Sequence, residues 1–201
     1  KLIIGSGMML TGMSLGQAAN VTSNDADTQK PPNVLVIMAD DLGFSDISPY
    51  GGEIQTPNLQ MLAENGVSFT DFSVTPYSAP SRAAFLTGSD PHEVGLGNLI
   101  ELSTPEQKAN PNYVGHLNDK ALTIAQRLKQ AGYFTVMSGK WHLGTRAEDA
   151  PNKWGFDESF VYLKGDGNHY KRDNYPEGPD GDQPYRLNGE LIDIPDNFYS
   201  S

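Results

Sequence analysis

The sequence predicts an α/β fold with a mainly parallel sheet, because short apolar runs alternate along it with segments of helical periodicity. Residues 34–39 (VLVIMA) form a continuous apolar run, which is typical of a strand buried on both faces. Residues 67–74 (VSFTDFSV) and 133–138 (YFTVMS) are two further candidate strands. The length of 201 residues is enough for one ordinary domain with its own core.

Three segments between and after these runs carry helix signals. In residues 56–66 (TPNLQMLAENG), Thr56 is a candidate cap and a proline occupies the first helical position. Residues 78–88 (SAPSRAAFLTG) and 122–132 (LTIAQRLKQAG) each end on a glycine, which favours a helix stop. From residue 165 onward the chain is rich in Gly, Pro, Asp and Asn, and we expect mainly loops there.

Composition and charge limit the classes of partner. The chain is 37% hydrophobic and 19% charged, as is usual for a soluble globular protein. Its net charge of −11 argues against nucleic acid and against stable association with an anionic membrane. It contains no cysteine, which excludes disulfides and thiolate metal sites.

The first residues are typical of a processing segment. Residues 1–19 are apolar and rich in small side chains, as in the end of a secretory signal peptide cleaved near Ala18 or Ala19. A buried helix is the alternative interpretation. Residues 20–32 are polar and predict a linker, so that residues 33–201 would hold the functional domain. We therefore expect a periplasmic or secreted protein.

Polar residues follow two of the predicted strands, where sites form in α/β sheets. Asp40 and Asp41 supply hard oxygen ligands suited to Ca²⁺ or Mg²⁺, although a solvated acidic turn is the alternative. In an extended segment Lys140 and His142 would point to the same side. A cation and a group that titrates near neutrality form a plausible catalytic pair, and a surface loop is the alternative.

Residues 78–88 suggest an anion site. Ser78 would lie at the N-terminal end of its helix, where unpaired amides and the helix dipole favour an anion. Arg82, one turn later, would lie beside it and could contact that anion. In the alternative interpretation Ser78 is a helix cap and Arg82 forms a surface salt bridge.

Three blocks of this sequence resemble the type I sulfatase family of the alkaline phosphatase superfamily. The string SAPSRAAFLTG is similar to the sulfatase signature, PNVLVIMADDLGFSDISPYGG to the family's first metal-binding segment, and GYFTVMSGKWHLG to its second conserved block. The blocks occur in the family's order, within residues 32–160. The resemblance implies an alkaline-phosphatase-like fold, with this chain as the N-terminal portion of an arylsulfatase-like enzyme.

The resemblance also implies a catalytic residue made after translation. Ser78 would be oxidised to formylglycine by a radical-SAM maturase, and its hydrated form would attack the sulfur of a sulfate ester. Asp40, Asp41 and the modified Ser78 would bind Ca²⁺, or Mg²⁺ in its place. The substrate would be a small-molecule or carbohydrate sulfate monoester.

Three further residues receive roles by the same resemblance. Arg82 would hold the modified residue, Lys140 would bind a sulfate oxygen, and His142 would remove the proton from the second hydroxyl. Asp46, Thr87 and Trp141 would have structural roles.

The family's remaining ligands come from a C-terminal half that lies beyond residue 201, so we expect the chain alone to be inactive. The pairs Asp173–Asn174 and Asp196–Asn197 are interpreted as loop residues, and His92, His116 and His169 as structural or surface residues. Two other functions stay open at this stage. One is a phosphodiester or phosphonate monoester hydrolase of the same superfamily, and the other is a non-catalytic binding protein with an unmodified serine.

Overall fold

The computed structural model describes residues 30–166 and 185–192, and the chain divides into two compact units, residues 1–74 and 75–201. The predicted signal segment and most of the predicted linker lie outside the described residues. The same holds for His169 and for both Asp-Asn pairs. Within the described residues, no helix has the length and apolar character needed to span a membrane.

The first unit contains a short 3-10 helix, Ser48–Tyr50, and helix α1, Pro57–Asn65. The predicted helix is confirmed, with a proline in its first turn and Gly66 directly after its last residue. The predicted capping role of Thr56 is wrong. Its hydroxyl accepts a hydrogen bond from the Ser48 backbone N–H at 3.1 Å and lies 2.8 Å from Ser48 Oγ. Thr56 therefore joins the 3-10 helix to the start of α1.

Two predicted strands of this unit are not formed. Residues 34–39 and 67–74 have no strand assignment, and Leu35 is 82% exposed where a buried side chain was expected. A strand is stabilised by ladder hydrogen bonds to its neighbours, and no described residue pairs with either segment. Apolar composition alone does not supply those partners.

The described part of the second unit carries three α-helices, of which the sequence predicts the first and the third. Helix α2 spans Ser78–Thr87, α3 spans Pro105–Lys108 and α4 spans Ile124–Gln130. Helix α2 ends at Gly88, whose φ of 67° is accessible to glycine and whose N–H donates to the Ala84 carbonyl. Helix α4 begins with a capping box, in which Thr123 and Gln126 each accept from the other's backbone N–H. Short 3-10 helices also lie in this unit, at Ile100–Leu102, Pro111–Tyr113, Ala147–Asp149 and Pro151–Trp154.

The sheet of the second unit is mixed. Strands β1 (Val136–Lys140), β2 (Glu158–Tyr162), β3 (Tyr185–Leu187) and β4 (Glu190–Leu191) are hydrogen-bonded in chain order. Strands β1 and β2 pair in parallel, with Val136 opposite Glu158 and Lys140 opposite Tyr162, although β2 was not among the predicted strands. The pairs β2–β3 and β3–β4 are antiparallel. The α/β class is confirmed, and the sheet that the structure describes includes an antiparallel extension.

The hairpin between β3 and β4 was missed because the region after residue 165 was expected to be mainly loops. Asn188 and Gly189 connect the two strands with φ values of 52° and 88°. These values suit a type I′ turn, for which Asn-Gly is the strongest sequence signal.

One core cluster places the predicted catalytic segments against each other. Trp141 and Leu143, which follow β1, are 1% and 0% exposed. They belong to the same buried cluster as Ala79 and Ala83 of α2 and Val161 of β2. Burial of such side chains is the main stabilising term of a fold, so the end of β1 and the first turns of α2 are fixed by one core.

Candidate active site

Ser78 is the first residue of α2, as the sequence predicts. The preceding Tyr77 is extended and its side chain makes no cap hydrogen bond with the described residues. The first-turn amides of α2 therefore lack a side-chain cap from Tyr77 and suit an anion at this end of the helix. Arg82 donates a hydrogen bond from Nε to Ser78 Oγ at 3.0 Å.

The same guanidinium reaches the end of the first strand. Arg82 Nη1 donates to the backbone carbonyl oxygen of Lys140 at 2.7 Å. Arg82 is 9% exposed, so both hydrogen bonds are largely shielded from water. A planar guanidinium can donate in two fixed directions at once, and here it ties the serine to the last residue of β1. The structure thus brings Ser78, Arg82 and the backbone of Lys140 together.

His142 lies two residues beyond β1 and is 9% exposed. Its backbone N–H donates to the Leu163 carbonyl at 3.1 Å, as Trp141 N–H donates to the Tyr162 carbonyl at 2.8 Å. Its φ is 56°, a left-handed conformation that is costly for a residue with a side chain. The extended backbone assumed in the sequence prediction therefore ends before His142, and the alternation argument does not place its side chain.

The imidazole of His142 has a close carboxylate neighbour. Nε2 of His142 lies 3.6 Å from Oε1 of Glu101, in the 3-10 helix Ile100–Leu102. The imidazole beside Glu101 holds the pKa of that carboxyl below its usual value. Neither ring nitrogen has a hydrogen-bond partner among the described residues. A β-carbon added at Gly165 would overlap the ring, so the imidazole packs directly on the Gly165 backbone.

The loop after His142 is held by a buried aspartate. Asp149 accepts hydrogen bonds from Arg146 Nε at 2.9 Å and Nη2 at 2.8 Å, and from the Arg146 backbone N–H at 3.0 Å. Its backbone carbonyl accepts from Trp141 Nε1 at 2.8 Å. The predicted structural role of Trp141 agrees with this contact and with its burial in the core. These bonds fix the backbone on the C-terminal side of His142.

Asp40 and Asp41 belong to the first unit, and both are exposed. Asp41 has a φ of 52°, a conformation that aspartate tolerates better than most residues. Asp46 stabilises the turn that follows Asp40 and Asp41, because its Oδ2 accepts a hydrogen bond from the Gly43 N–H at 2.6 Å. This contact agrees with the structural role predicted for Asp46.

The donor set at Asp40 and Asp41 fits a hard divalent cation only in part. Both residues offer carboxylate oxygens, which Ca²⁺ and Mg²⁺ prefer. In the parts of the chain that the structure describes, no group of three or more His, Cys, Asp or Glu residues could hold a metal ion. Because Ca²⁺ takes about six to eight oxygen ligands, the two carboxylates can supply only part of a coordination shell.

Comparison with models of protein families shows the family of this chain. The sulfatase family model matches residues 32–197. The chain belongs to the sulfatase family. Its relatives include an uncharacterized sulfatase of Schizosaccharomyces pombe, 44% identical over 89% of this chain and 34% of its own length. An arylsulfatase of Klebsiella aerogenes is 42% identical over 88% of this chain and 38% of its own length. The chain thus spans about a third of the length of these sulfatases.

Similar solved structures share the fold. The crystal structure of Ps i-CgsB is 34% identical, with a TM-score of 0.66, and the match covers 82% of this chain and 37% of that one. The same protein has been solved in complex with k-i-k-neocarrahexaose. The alkaline-phosphatase-like α/β fold expected from the sequence is therefore confirmed.

Two residues near the predicted site were not found from the sulfatase motifs. Glu101 lies 41 positions before His142 in a segment without strand or long-helix periodicity, so no local pattern indicated it. Gly165 begins the Gly-rich region that was expected to form loops. Only the folded arrangement shows that both contact the imidazole.

Proposed function

We propose that the complete protein hydrolyses sulfate monoesters of aryl alcohols or carbohydrates. The observation that carries this proposal is the position of Arg82, which joins Ser78 at the N-terminus of α2 to the end of β1. Membership of the sulfatase family and the likeness to Ps i-CgsB, which was solved in complex with k-i-k-neocarrahexaose, support this substrate class. A phosphodiester or phosphonate substrate is the alternative.

In the proposed reaction Ser78 acts after oxidation to formylglycine, whose hydrate carries two hydroxyls. One hydroxyl oxygen bonds to sulfur while the bond from sulfur to the substrate oxygen breaks, and the alcohol leaves with a proton. The second hydroxyl then loses its proton to His142, the enzyme–sulfate bond breaks, and the aldehyde re-forms. An unmodified serine lacks that second hydroxyl and would remain sulfated.

The surrounding residues would stabilise the charges of this reaction. Arg82 would keep its hydrogen bond to the oxygen at position 78, and Lys140 would bind a sulfate oxygen as negative charge grows in the transition state. Asp40 and Asp41 would hold part of the shell of a divalent cation, with Ca²⁺ proposed and Mg²⁺ as the alternative. When bound, the cation would act as a Lewis acid toward sulfate oxygen.

Two further proposals concern the maturation of the protein and its export. A radical-SAM maturase would convert Ser78, because the key position holds serine and the chain has no cysteine. The protein would act in the periplasm or outside the cell, since residues 1–19 have the composition of a secretory signal. Fractionation of the native host with N-terminal sequencing tests the export; an intact Lys1 in the cytosolic fraction would contradict it.

The central experiment is co-expression of the complete gene product with such a maturase. Mass spectrometry of the Ser78 peptide should show the loss of two hydrogens, and a chromogenic aryl sulfate should then be hydrolysed in the presence of Ca²⁺. Ser78→Ala should have no turnover, while Ser73→Ala, at an exposed serine outside the sulfatase signature, should retain it. Equal activity on an aryl phosphate diester, or turnover by Ser78→Ala, would reject the proposal.

A further inference from the structure

We propose that Glu101 is a positioning residue for His142. Its carboxylate accepts a hydrogen bond from Nε2–H of the imidazole and leaves Nδ1 as the ring's proton acceptor. Glu101 would not touch the sulfate ester itself. The effect of Glu101 on turnover rests on the proposed function, whereas its effect on the position of the proton in the His142 ring does not.

The first observation is the hydrogen bonding of the imidazole. His142 is 9% exposed, and both of its nitrogens lack a hydrogen-bond partner among the described residues. A buried polar group without a hydrogen-bond partner is unfavourable. The carboxylate of Glu101, 3.6 Å from Nε2, is the neighbour that can satisfy one nitrogen after a shift of a few tenths of an ångström. The nitrogen that remains is Nδ1.

The second observation is that the backbone around Glu101 is fixed. The Leu102 N–H donates to the Leu99 carbonyl at 3.1 Å, and the Ser103 N–H to the Ile100 carbonyl at 3.3 Å. Ile100 packs against the Gly115 backbone so closely that an added β-carbon would lie 2.6 Å from Ile100 Cβ. The carboxylate therefore extends from a turn whose position is set by packing.

The ring is restrained by a second contact as well. The His142 backbone N–H donates to the Leu163 carbonyl at 3.1 Å, and the imidazole packs against Gly165, where an added β-carbon would overlap the ring. The imidazole thus contacts both a glycine backbone and a carboxylate. Such an arrangement selects one ring orientation and one tautomer, as carboxylate neighbours of functional histidines commonly do.

The charge of Glu101 suits this role. Its pKa is lowered chiefly by the His142 side chain and to a smaller extent by the charge of Lys108. The carboxyl is therefore ionised at neutral pH and can only accept hydrogen bonds. An ionised acceptor also stabilises the imidazolium that forms when Nδ1 takes up a proton.

The test measures the position of the proton directly. The complete protein is labelled with ¹⁵N at histidine, and the His142 signals are assigned by their loss in His142→Gln. At a pH where the ring is neutral, the parent should carry its proton on Nε2. Glu101→Ala should show a mixture of tautomers, while Glu101→Gln, whose amide oxygen can still accept, should keep the Nε2–H form. Identical tautomers in the parent and Glu101→Ala, or an Nδ1–H form in the parent, would overturn the proposal.

Turnover of an aryl sulfate provides the second readout. Glu101→Ala should lower kcat by about tenfold with KM within about twofold, and Glu101→Gln should recover most of the loss. Glu106→Ala removes an exposed carboxylate from the first turn of α3 and serves as the matched control, with unchanged kcat. A loss expressed only in KM, or an equal loss in Glu106→Ala, would count against Glu101. If the parent has no turnover, the proposed function fails and the NMR result still decides this one.

Discussion

Arg82 and Lys140 are joined by a 2.7 Å hydrogen bond across 58 positions of sequence, from the guanidinium of α2 to the last carbonyl of β1. Since the same side chain also donates to Ser78 Oγ, the relative position of helix and strand determines where the serine oxygen lies. A positive charge alone would not require two hydrogen bonds in different directions. Arg82 therefore fixes the position of the Ser78 oxygen, and this role can be tested separately from its charge.

Replacing Arg82 by lysine keeps the positive charge and removes the planar guanidinium with its two hydrogen-bond donors. A single ammonium on a flexible stem cannot reproduce the two guanidinium hydrogen bonds in their fixed directions. We expect Arg82→Lys to lower the free energy of unfolding by about 1–3 kcal/mol, because buried acceptors lose their donor. Turnover of a sulfate ester should fall by at least about a hundredfold, which corresponds to about 2.7 kcal/mol of barrier.

Urea unfolding and steady-state kinetics of the complete protein measure both effects. Arg127→Lys in α4 is the matched control, since Arg127 is exposed and the substitution is chemically identical. If Arg82→Lys changed the stability and kcat no more than Arg127→Lys does, the two hydrogen bonds would have no role in positioning Ser78.

The paired aspartates offer a test of metal binding that leaves the backbone unchanged. Asp41→Asn removes one anionic ligand, while asparagine tolerates the left-handed conformation at φ 52° as aspartate does. We expect the affinity for Ca²⁺ to fall by at least about tenfold, because the site loses a carboxylate charge. Asp71→Asn, an exposed aspartate of the same unit, is the control. Calorimetric titration that gave equal Ca²⁺ affinities for the parent and Asp41→Asn would remove Asp41 from the metal site.

Gly165 should be intolerant of even a methyl group. An added β-carbon would overlap the imidazole of His142, which is too buried to move freely. Gly165→Ala should therefore displace the ring and lower kcat at least about tenfold, as misplacement of a catalytic group does. Gly66→Ala is the control, because Gly66 is exposed and has φ −133°, an extended conformation that any residue adopts. The kinetic constants and the ¹⁵N signals of His142 are compared, and unchanged values in Gly165→Ala would show that the ring does not depend on this contact.

The local parts of this structure could be predicted from the sequence. Proline at the first turn, glycine at the stop and apolar spacing indicate α1, α2 and α4, because helix formation depends on residues within a few positions. The three sulfatase blocks indicate Ser78, Arg82 and Lys140, and the structure places these residues together. Their assigned catalytic roles stay predictions.

Contacts between segments distant in sequence could not be predicted in the same way. The apolar run at residues 34–39 has the composition of a buried strand, but a strand forms only with a hydrogen-bonded neighbour. The contact of Glu101 with His142 results from packing of segments distant in sequence, which no local pattern encodes. The β3–β4 hairpin is different, since Asn188–Gly189 is a local turn signal that could have been used.

The last prediction concerns pH and the anchor of helix α4. Asp157 forms a 2.6 Å ion pair with Lys129 and accepts from the Thr135 backbone N–H and hydroxyl, each at 2.9 Å. The Lys129 ammonium, followed by the Thr135 hydrogen bonds, lowers the pKa of Asp157 from 3.8 to about 2. The ionised form is thus favoured in the folded state, so its stabilisation is complete above pH 3.8 and is lost as the pH falls toward 2.

Asp157→Asn should therefore be less stable than the parent at pH 7, by the same amount at pH 5 and by a smaller amount at pH 3. Urea unfolding of the complete protein at these three pH values measures the difference. Asp119→Asn, at an exposed position, controls for the change in net charge. Raising the salt concentration should weaken only the Lys129 contribution, because the Thr135 hydrogen bonds are not screened in the same way. A stability difference between parent and Asp157→Asn that stayed constant down to pH 3 would show that the carboxylate charge does not anchor α4.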